Sequence, residues 1–168
     1  MSRNMEMRSA IATLESAIGN PQEGLPSEVF LFVSRLTPLA NVDLLIKDDR
    51  GRTLLTWRQD EFFGAGWHVP GGIIRFKETF ADRIRACARQ ELGAAVSSEA
   101  APIKVIEGIA AQSTRGHAIS LLFRCRLLGP PDQARRAESE HPSPGQWRWH
   151  QGAPPNLIPA QRQYVEFL

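Results

Sequence analysis

An α/β fold, with a mixed β-sheet sandwiched between helices on both faces, is what this sequence predicts. Three observations carry that prediction. The chain reads in the order helix, strands, one long helix, strands, helix. Its 168 residues are 42% apolar, enough to build one real core and too apolar for wholesale disorder. Pro70-Gly71-Gly72 breaks a strand pattern just ahead of the long helix, and Gly93 stands where that helix must stop.

The elements follow in order. Residues 1–20 place Met5, Ile11, Leu14 and Ile18 at helical spacing and end at Gly19-Asn20-Pro21, so residues 1–24 read as a helical extension of a main domain over 25–168. A short helix is expected at 27–35, with Ser27 as its N-cap and Val29, Phe30, Phe32 and Val33 on its apolar side. Residues 42–46 and 53–57 form an antiparallel pair across the turn Asp48-Asp49-Arg50-Gly51. A strand at 67–69 precedes the Pro-Gly-Gly break. Thr79, with Asp82 three residues on, starts the helix over 80–92 as a capping box. Strands at 104–111, 117–128 and 146–150 follow, and a helix over 160–167 closes the chain.

Composition excludes several classes. A formal charge of +2 is too small for a dedicated nucleic-acid binder, and Arg83, Arg85 and Arg89 are interspersed with acids as on a solvated face. No apolar run approaches the roughly 20 residues needed to cross a bilayer. The N-terminal stretch has charges and no apolar core of a signal peptide, and two cysteines, Cys87 and Cys125, suit a reducing compartment. A cytoplasmic protein is therefore expected.

The chemistry is concentrated between Gly72 and Gly93. Gly72, Glu78, Glu91 and Gly93 carry the spacing of the Nudix box, a motif that in full reads Gly, five residues, Glu, seven residues, then Arg-Glu-aliphatic-any-Glu-Glu-any-Gly-aliphatic. Acids at i and i+4 on one helix face aim hard oxygens at one point, as a magnesium ion demands. Here Ala86 and Cys87 replace the Arg-Glu pair and Gln90 replaces the first acid of the second pair. Only Glu91 remains on the metal face, so the helix supports one ion at most. Glu78 has lost its usual arginine partner, and Arg75, Arg85 and Arg89 are all candidates to replace it.

From Leu25 to the C-terminus the chain resembles the GDP-mannose mannosyl hydrolase branch of the Nudix superfamily. The resemblance is carried by Thr37-Pro38-Leu39, Val42-Asp43-Leu44, Leu54 to Arg58, Gly66 to Gly72, Glu78-Thr79, Glu91-Leu92-Gly93, Trp147-Arg148-Trp149 and the final Ala160 to Leu168. It implies the Nudix fold, a homodimer and a GDP-sugar substrate. It also implies one magnesium ion, with manganese as a substitute, bound by Gly71, Glu91 and Glu140. In that branch a histidine activates water for attack at the sugar anomeric carbon, which releases GDP and the sugar. His141 matches the base if about three residues are inserted before Trp147, whereas a gapless alignment puts Ser143 and Pro144 there. Arg58 matches the arginine that stabilises the departing diphosphate, and Asp43 a substrate-binding aspartate. An acid inside the apolar strand 42–46 also suggests a site by itself, because a buried carboxylate needs a partner.

Three departures bear on substrate fit. Ile73 stands where the branch has an arginine, Ala118 where it has an aromatic, and the loop between Ala111 and His117 is shorter. The bland assignments are a packed helix residue for Cys87, packed or edge residues for His68 and His117, and core or sheet anchors for the tryptophans. Two further functions stay open from the sequence. One is a pyrophosphohydrolase that cuts phosphorus–oxygen bonds in a nucleotide derivative. The other is a nucleotide-binding domain without turnover, favoured by the residues at 86, 87 and 90.

Overall fold

A computed structural model describes residues 3–168. Residues 1 and 2, at the head of the expected first helix, lie outside the described residues. Helix α1 spans Arg3–Ile18 and buries none of its side chains. Gly19 ends it in the left-handed conformation, and Asn20 then caps a short turn by accepting from the Gln22 amide. Helix α2, Ser27–Val33, has Pro26 as its cap, one residue before the predicted one, so Ser27 is its first helical residue and no side chain caps it.

Two sheets form the centre. Strands β1 (Leu39–Ile46), β4 (Gly71–Ile73), β5 (Val96–Ser98), β6 (Lys104–Ile109) and β7 (His117–Leu127) make a mixed five-stranded sheet. Within it β1 runs parallel to β7, and the other pairs are antiparallel. Strands β2 (Thr53–Asp60), β3 (Gly64–His68) and β8 (Trp147–His150) make an antiparallel second sheet with β2 in the middle. The three-residue strands β4 and β5 escape the sequence pattern because they are too short to show alternation.

Strand alternation gives β1 two buried faces. Val42, Leu44 and Ile46 pack with Ile84, Ala88 and Leu92 of the long helix. Leu45 packs on the opposite side with Val69, Leu122 and Tyr164. The sheet is thus covered on one face by that helix and on the other by the C-terminal segment, Pro159–Phe167, which winds as a 3-10 helix.

The long helix, α3, is α-helical over Phe80–Cys87 and widens into a π turn over Ala88–Leu92. Thr79 caps it as expected, accepting from the Asp82 amide at 3.1 Å. The reciprocal bond differs from the usual box. The Thr79 hydroxyl itself donates to Asp82 Oδ2, because an aspartate is one methylene too short to reach the capping residue's amide. Gly93 ends the helix at φ 61°. Wide turns of this kind recur at functional positions in helices, and Glu91 sits on this one.

Candidate active site

The site is built where β4 crosses β1. Their antiparallel register sets Gly71 opposite Asp43. A methyl group at Gly71 would collide with Asp43 Oδ1 and the Val42 carbonyl, so only glycine permits the approach. The freed Gly71 amide donates to Glu91 Oε1 at 2.8 Å, and the Thr56 hydroxyl donates to Oε2 at 2.8 Å. His68 Nε2 lies 3.4 Å from the same Oε2. Burial alone would raise the Glu91 pKa, but His68, the Gly71 amide and Thr56 together hold it below the ordinary glutamate range. The sequence-predicted pair Gly71 and Glu91 is thus brought together.

His68 was assigned to packing by its sequence context, yet it is a member of the cluster. Its Nδ1 lies 2.8 Å from the Thr56 carbonyl, which can only accept, so that nitrogen carries a proton. Nε2 is left facing Glu91. The one available signal was position: a polar ring between Trp67 and Val69, one residue before the Pro-Gly-Gly break.

Asp43 is almost fully buried, and Tyr164 donates to its Oδ2 at 2.5 Å. Burial pushes its pKa up to about 6, against the lowering effects of Tyr164 and His68, and Glu91 adds to the rise. The C-terminal segment is therefore part of the site: Tyr164 holds Asp43, and Gln161 Oε1 accepts from the Val69 amide at 2.5 Å. Neither residue was given a role from the sequence, because each stands more than ninety positions from its partner in the site.

Of these groups Asp43, His68, Gly71, Gln161 and Tyr164 line a cavity of about 640 Å³, and Glu91 and Thr56 stand behind that wall. Arg58 lines it further along β2, on the same strand face as Thr56. Its Nε pairs with Asp60 Oδ2 at 3.0 Å, and its guanidinium lies 5.3 Å from the Phe63 ring. Arg115, Phe62 and Phe63 complete that end.

Glu140 and His141 fall elsewhere. Both are exposed on the loop before β8, and neither lines the cavity. Arg148 fastens that loop by donating to the carbonyls of Ala137 and Ser139, and Ser139 donates to the His141 carbonyl. The structure does not bring these two residues to Gly71 and Glu91. The side-chain partner of Glu78 is also not one of the three arginines named as candidates, although the Arg75 amide donates to it. Arg83, one helical turn before Ala86, takes that place, while Arg75 reaches the Gln22 carbonyl through its side chain. Cys87 is packed as expected, with its Sγ against Gly72 and burial raising the thiol to about 11.

The donor set admits a divalent cation of the hard kind. Glu91 and Asp43 offer carboxylates on either side of Gly71, and Cys87 and Gln90 offer none. Among the described residues no three His, Cys, Asp or Glu side chains converge on one point. An ion here would accordingly be single and completed by backbone oxygen, water and substrate. No described helix is long and apolar enough to cross a membrane.

No protein-family model matches the chain. A low-salt glycan biosynthesis protein, Agl8 of Haloferax volcanii, is 34% identical over 79 residues, which are 47% of this chain and 50% of that protein. The match thus spans about half the length of the curated relative. Among solved structures, the MutT Nudix hydrolase of Burkholderia pseudomallei superposes with a TM-score of 0.61 at 23% identity, over 79% of this chain and 98% of that one. The MutT protein of Methanosarcina mazei Go1 gives 0.59 at 17% identity, over 77% and 92%. A UDP-X diphosphatase gives 0.58 at 19% identity, over 98% and 78%. At these identities the likeness is one of architecture, and the architecture is the Nudix fold.

Proposed function

We propose that this chain is a Nudix-type hydrolase of a nucleoside diphosphate joined to a sugar, GDP-mannose-like compounds being the expected class. One observation carries the reading. One cavity brings together two carboxylates, Asp43 at its wall and Glu91 bonded to the lining Gly71, and two guanidiniums, Arg58 and Arg115, that line it as well. A diphosphate needs cationic donors, and its hydrolysis needs a polarised phosphoryl group and an ordered water. Glu91 and Gly71 would hold one magnesium or manganese ion, which when bound supplies Lewis-acid stabilisation of the diphosphate charge. Arg58 binds the same charge from β2, and Asp43, fixed by Tyr164, positions the far side of the substrate. Water adds to phosphorus and the bridging P–O bond breaks, giving a nucleoside monophosphate and a sugar phosphate.

A second reading, attack of water at the sugar anomeric carbon to give a nucleoside diphosphate and free sugar, is favoured by the box retaining only Glu91 on its metal-facing side. It requires His141 as base, and the exposed place of that residue, outside the cavity, puts this reading second; Glu140 as a metal ligand belongs to it. Nucleotide sugars hydrolysed with magnesium in oxygen-18 water separate the two. Label in a phosphate group supports attack at phosphorus, and label in the sugar supports attack at carbon. Under the second reading His141→Gln lowers turnover by orders of magnitude, and under the first it leaves turnover nearly unchanged. Tight nucleotide binding without turnover of any nucleotide sugar would make the chain a binding domain. The expected homodimer is checked by sedimentation of the intact chain.

A further inference from the structure

Arg115 sits in the loop between β6 and β7, a segment absent from every motif of the sequence. Its backbone is left-handed, at φ 56°, a conformation that costs energy in any residue with a side chain. The surroundings enforce it. The Arg115 amide donates to Ser34 Oγ at 3.1 Å, its carbonyl accepts from the Gln112 side chain at 3.3 Å, and the Gly116 carbonyl accepts from the Ala110 amide at 2.7 Å. The strained turn delivers a guanidinium onto three phenyl rings, 4.7 Å from Phe62, 5.3 Å from Phe63 and 5.7 Å from Phe30. Arg115 Nε is buried and has no hydrogen-bond partner among the described residues.

The local charges do not balance. Arg58 and Arg115 are close enough for each charge to oppose the other, and burial followed by Arg58 depresses the Arg115 pKa. The acid beside them, Asp60, is already engaged. Its Oδ2 pairs with Arg58, and its Oδ1 accepts from the amides of Phe62 and Phe63 at 2.9 Å each. Two cations thus share one carboxylate at a cavity wall, and among the described residues no hydrogen bond engages the Arg115 guanidinium, a group suited to a planar, two-pronged acceptor.

We propose that Arg115 binds the diphosphate of the nucleotide ligand, acting with Arg58 as a two-arginine clamp. This deepens the function proposed above and rests on it. It also accounts for Ile73: the cation absent after the glycine pair is supplied by another loop, while Arg75 is directed to Gln22 and away from the cavity.

Calorimetric titration of the intact chain with GDP, guanosine and inorganic pyrophosphate tests it. The wild-type chain should bind GDP more tightly than guanosine. Arg115→Ala should weaken GDP and pyrophosphate by about 10- to 100-fold, the loss expected for a charge-assisted pair of bonds, and leave guanosine unchanged. Arg115→Lys should recover only part of the loss. Arg115→Gln keeps the stem on the phenyl rings and supplies the same reading if the alanine variant does not fold. Equal GDP and pyrophosphate binding by wild type and the Ala or Gln variant would overturn the clamp while leaving the proposed function standing. Loss of pyrophosphate binding on substitution, in a chain that turns over no nucleotide sugar, would uphold the clamp and remove the hydrolase. A wild-type chain that binds neither GDP nor pyrophosphate overturns both.

Discussion

Arg83 donates to both carboxylate oxygens of Glu78, each at 2.8 Å, from a position one helical turn ahead of the alanine that replaces the usual arginine. Arg83 is buried and Glu78 half-buried: the side chains are 6% and 16% exposed. Glu78 in turn accepts from the Arg75 amide at 2.9 Å, which fixes the chain entering α3. Removing Arg83 strands a half-buried carboxylate, so Arg83→Ala should cost about 1–3 kcal/mol in urea unfolding. Arg83→Lys should rescue little, since an ammonium cannot grip both oxygens. Adding Ala86→Arg to Arg83→Ala should recover part of the loss by restoring a guanidinium to the same helix face. Burial opposes ionisation of Glu78, but Arg83 and Arg75 hold its pKa below the ordinary range. Its contribution is therefore full above about pH 4.3, the ordinary glutamate value, and fades as pH falls below that. The deficit of Arg83→Ala should shrink in the same window, and an undiminished deficit at pH 3 would reject the ion pair as its source.

The same rearrangement explains Cys87. A methyl group at Gly72 would come 2.7 Å from Cys87 Sγ, with Arg83 Cδ at 3.6 Å. Gly72→Ala should therefore destabilise by about 1–3 kcal/mol through overpacking. Cys87→Ala makes room, so the double variant should be more stable than the sum of the single changes predicts. Strict additivity in thermal unfolding would refute the contact.

Asp43 should show a stability change opposite in sign to that of Glu78. Its folded pKa of about 6 exceeds the ordinary aspartate value, so the folded chain binds the extra proton. Stability attributable to this group is greatest at low pH and declines as pH rises from about 4 to 6. Asn keeps an acceptor for Tyr164 and carries no charge. Asp43→Asn should thus be more stable than wild type by about 1–3 kcal/mol at pH 8 and indistinguishable from it near pH 4, measured in chelator. A variant equally destabilised at both values would show that the Tyr164 bond, and not the buried charge, dominates.

Much of this was legible in the sequence, and for reasons that separate by range. The cap at Thr79, the stop at Gly93 and the turn at residues 48–51 depend on neighbours within a few positions, and each is found. The strands joined by that turn, however, lie in different sheets and meet only at the Lys47–Thr53 bridge instead of forming the expected pair. Gly71 and Glu91 share one motif, so their meeting was legible too. His68, Tyr164 and Arg115 were not, because each acquires its role from strands or loops far along the chain. The loop before β8 was legible as to its residues and not as to its place. Nothing in the composition of residues 138–146 shows that Arg148 will tether the loop by the carbonyls of Ala137 and Ser139. The substitution of Arg83 for an arginine at 86 was hidden for a different reason. It preserves the helix face while changing the motif position, and a position-by-position reading sees only the loss.

Glu91 provides the sharpest test of the site, because both of its oxygens already accept hydrogen bonds. In Glu91→Gln one of those oxygens becomes an NH₂ group facing either the Gly71 amide or the Thr56 hydroxyl. The hydroxyl can rotate to accept and the amide cannot, so the side chain should settle with its NH₂ toward Thr56, at a cost of about 1–2 kcal/mol. The fold should therefore survive, while the charge that a divalent cation needs is gone. Manganese binding followed by electron paramagnetic resonance should fall at least 10-fold, and any magnesium-dependent turnover should fall by about 100-fold or more. Glu91→Asp should fail differently, since a side chain one methylene shorter cannot reach Gly71 and Thr56 together, and it should lose stability as well as cation binding. Unchanged manganese affinity in a folded Glu91→Gln chain would place the cation away from the box and leave Glu91 as the structural acceptor of Gly71 and Thr56.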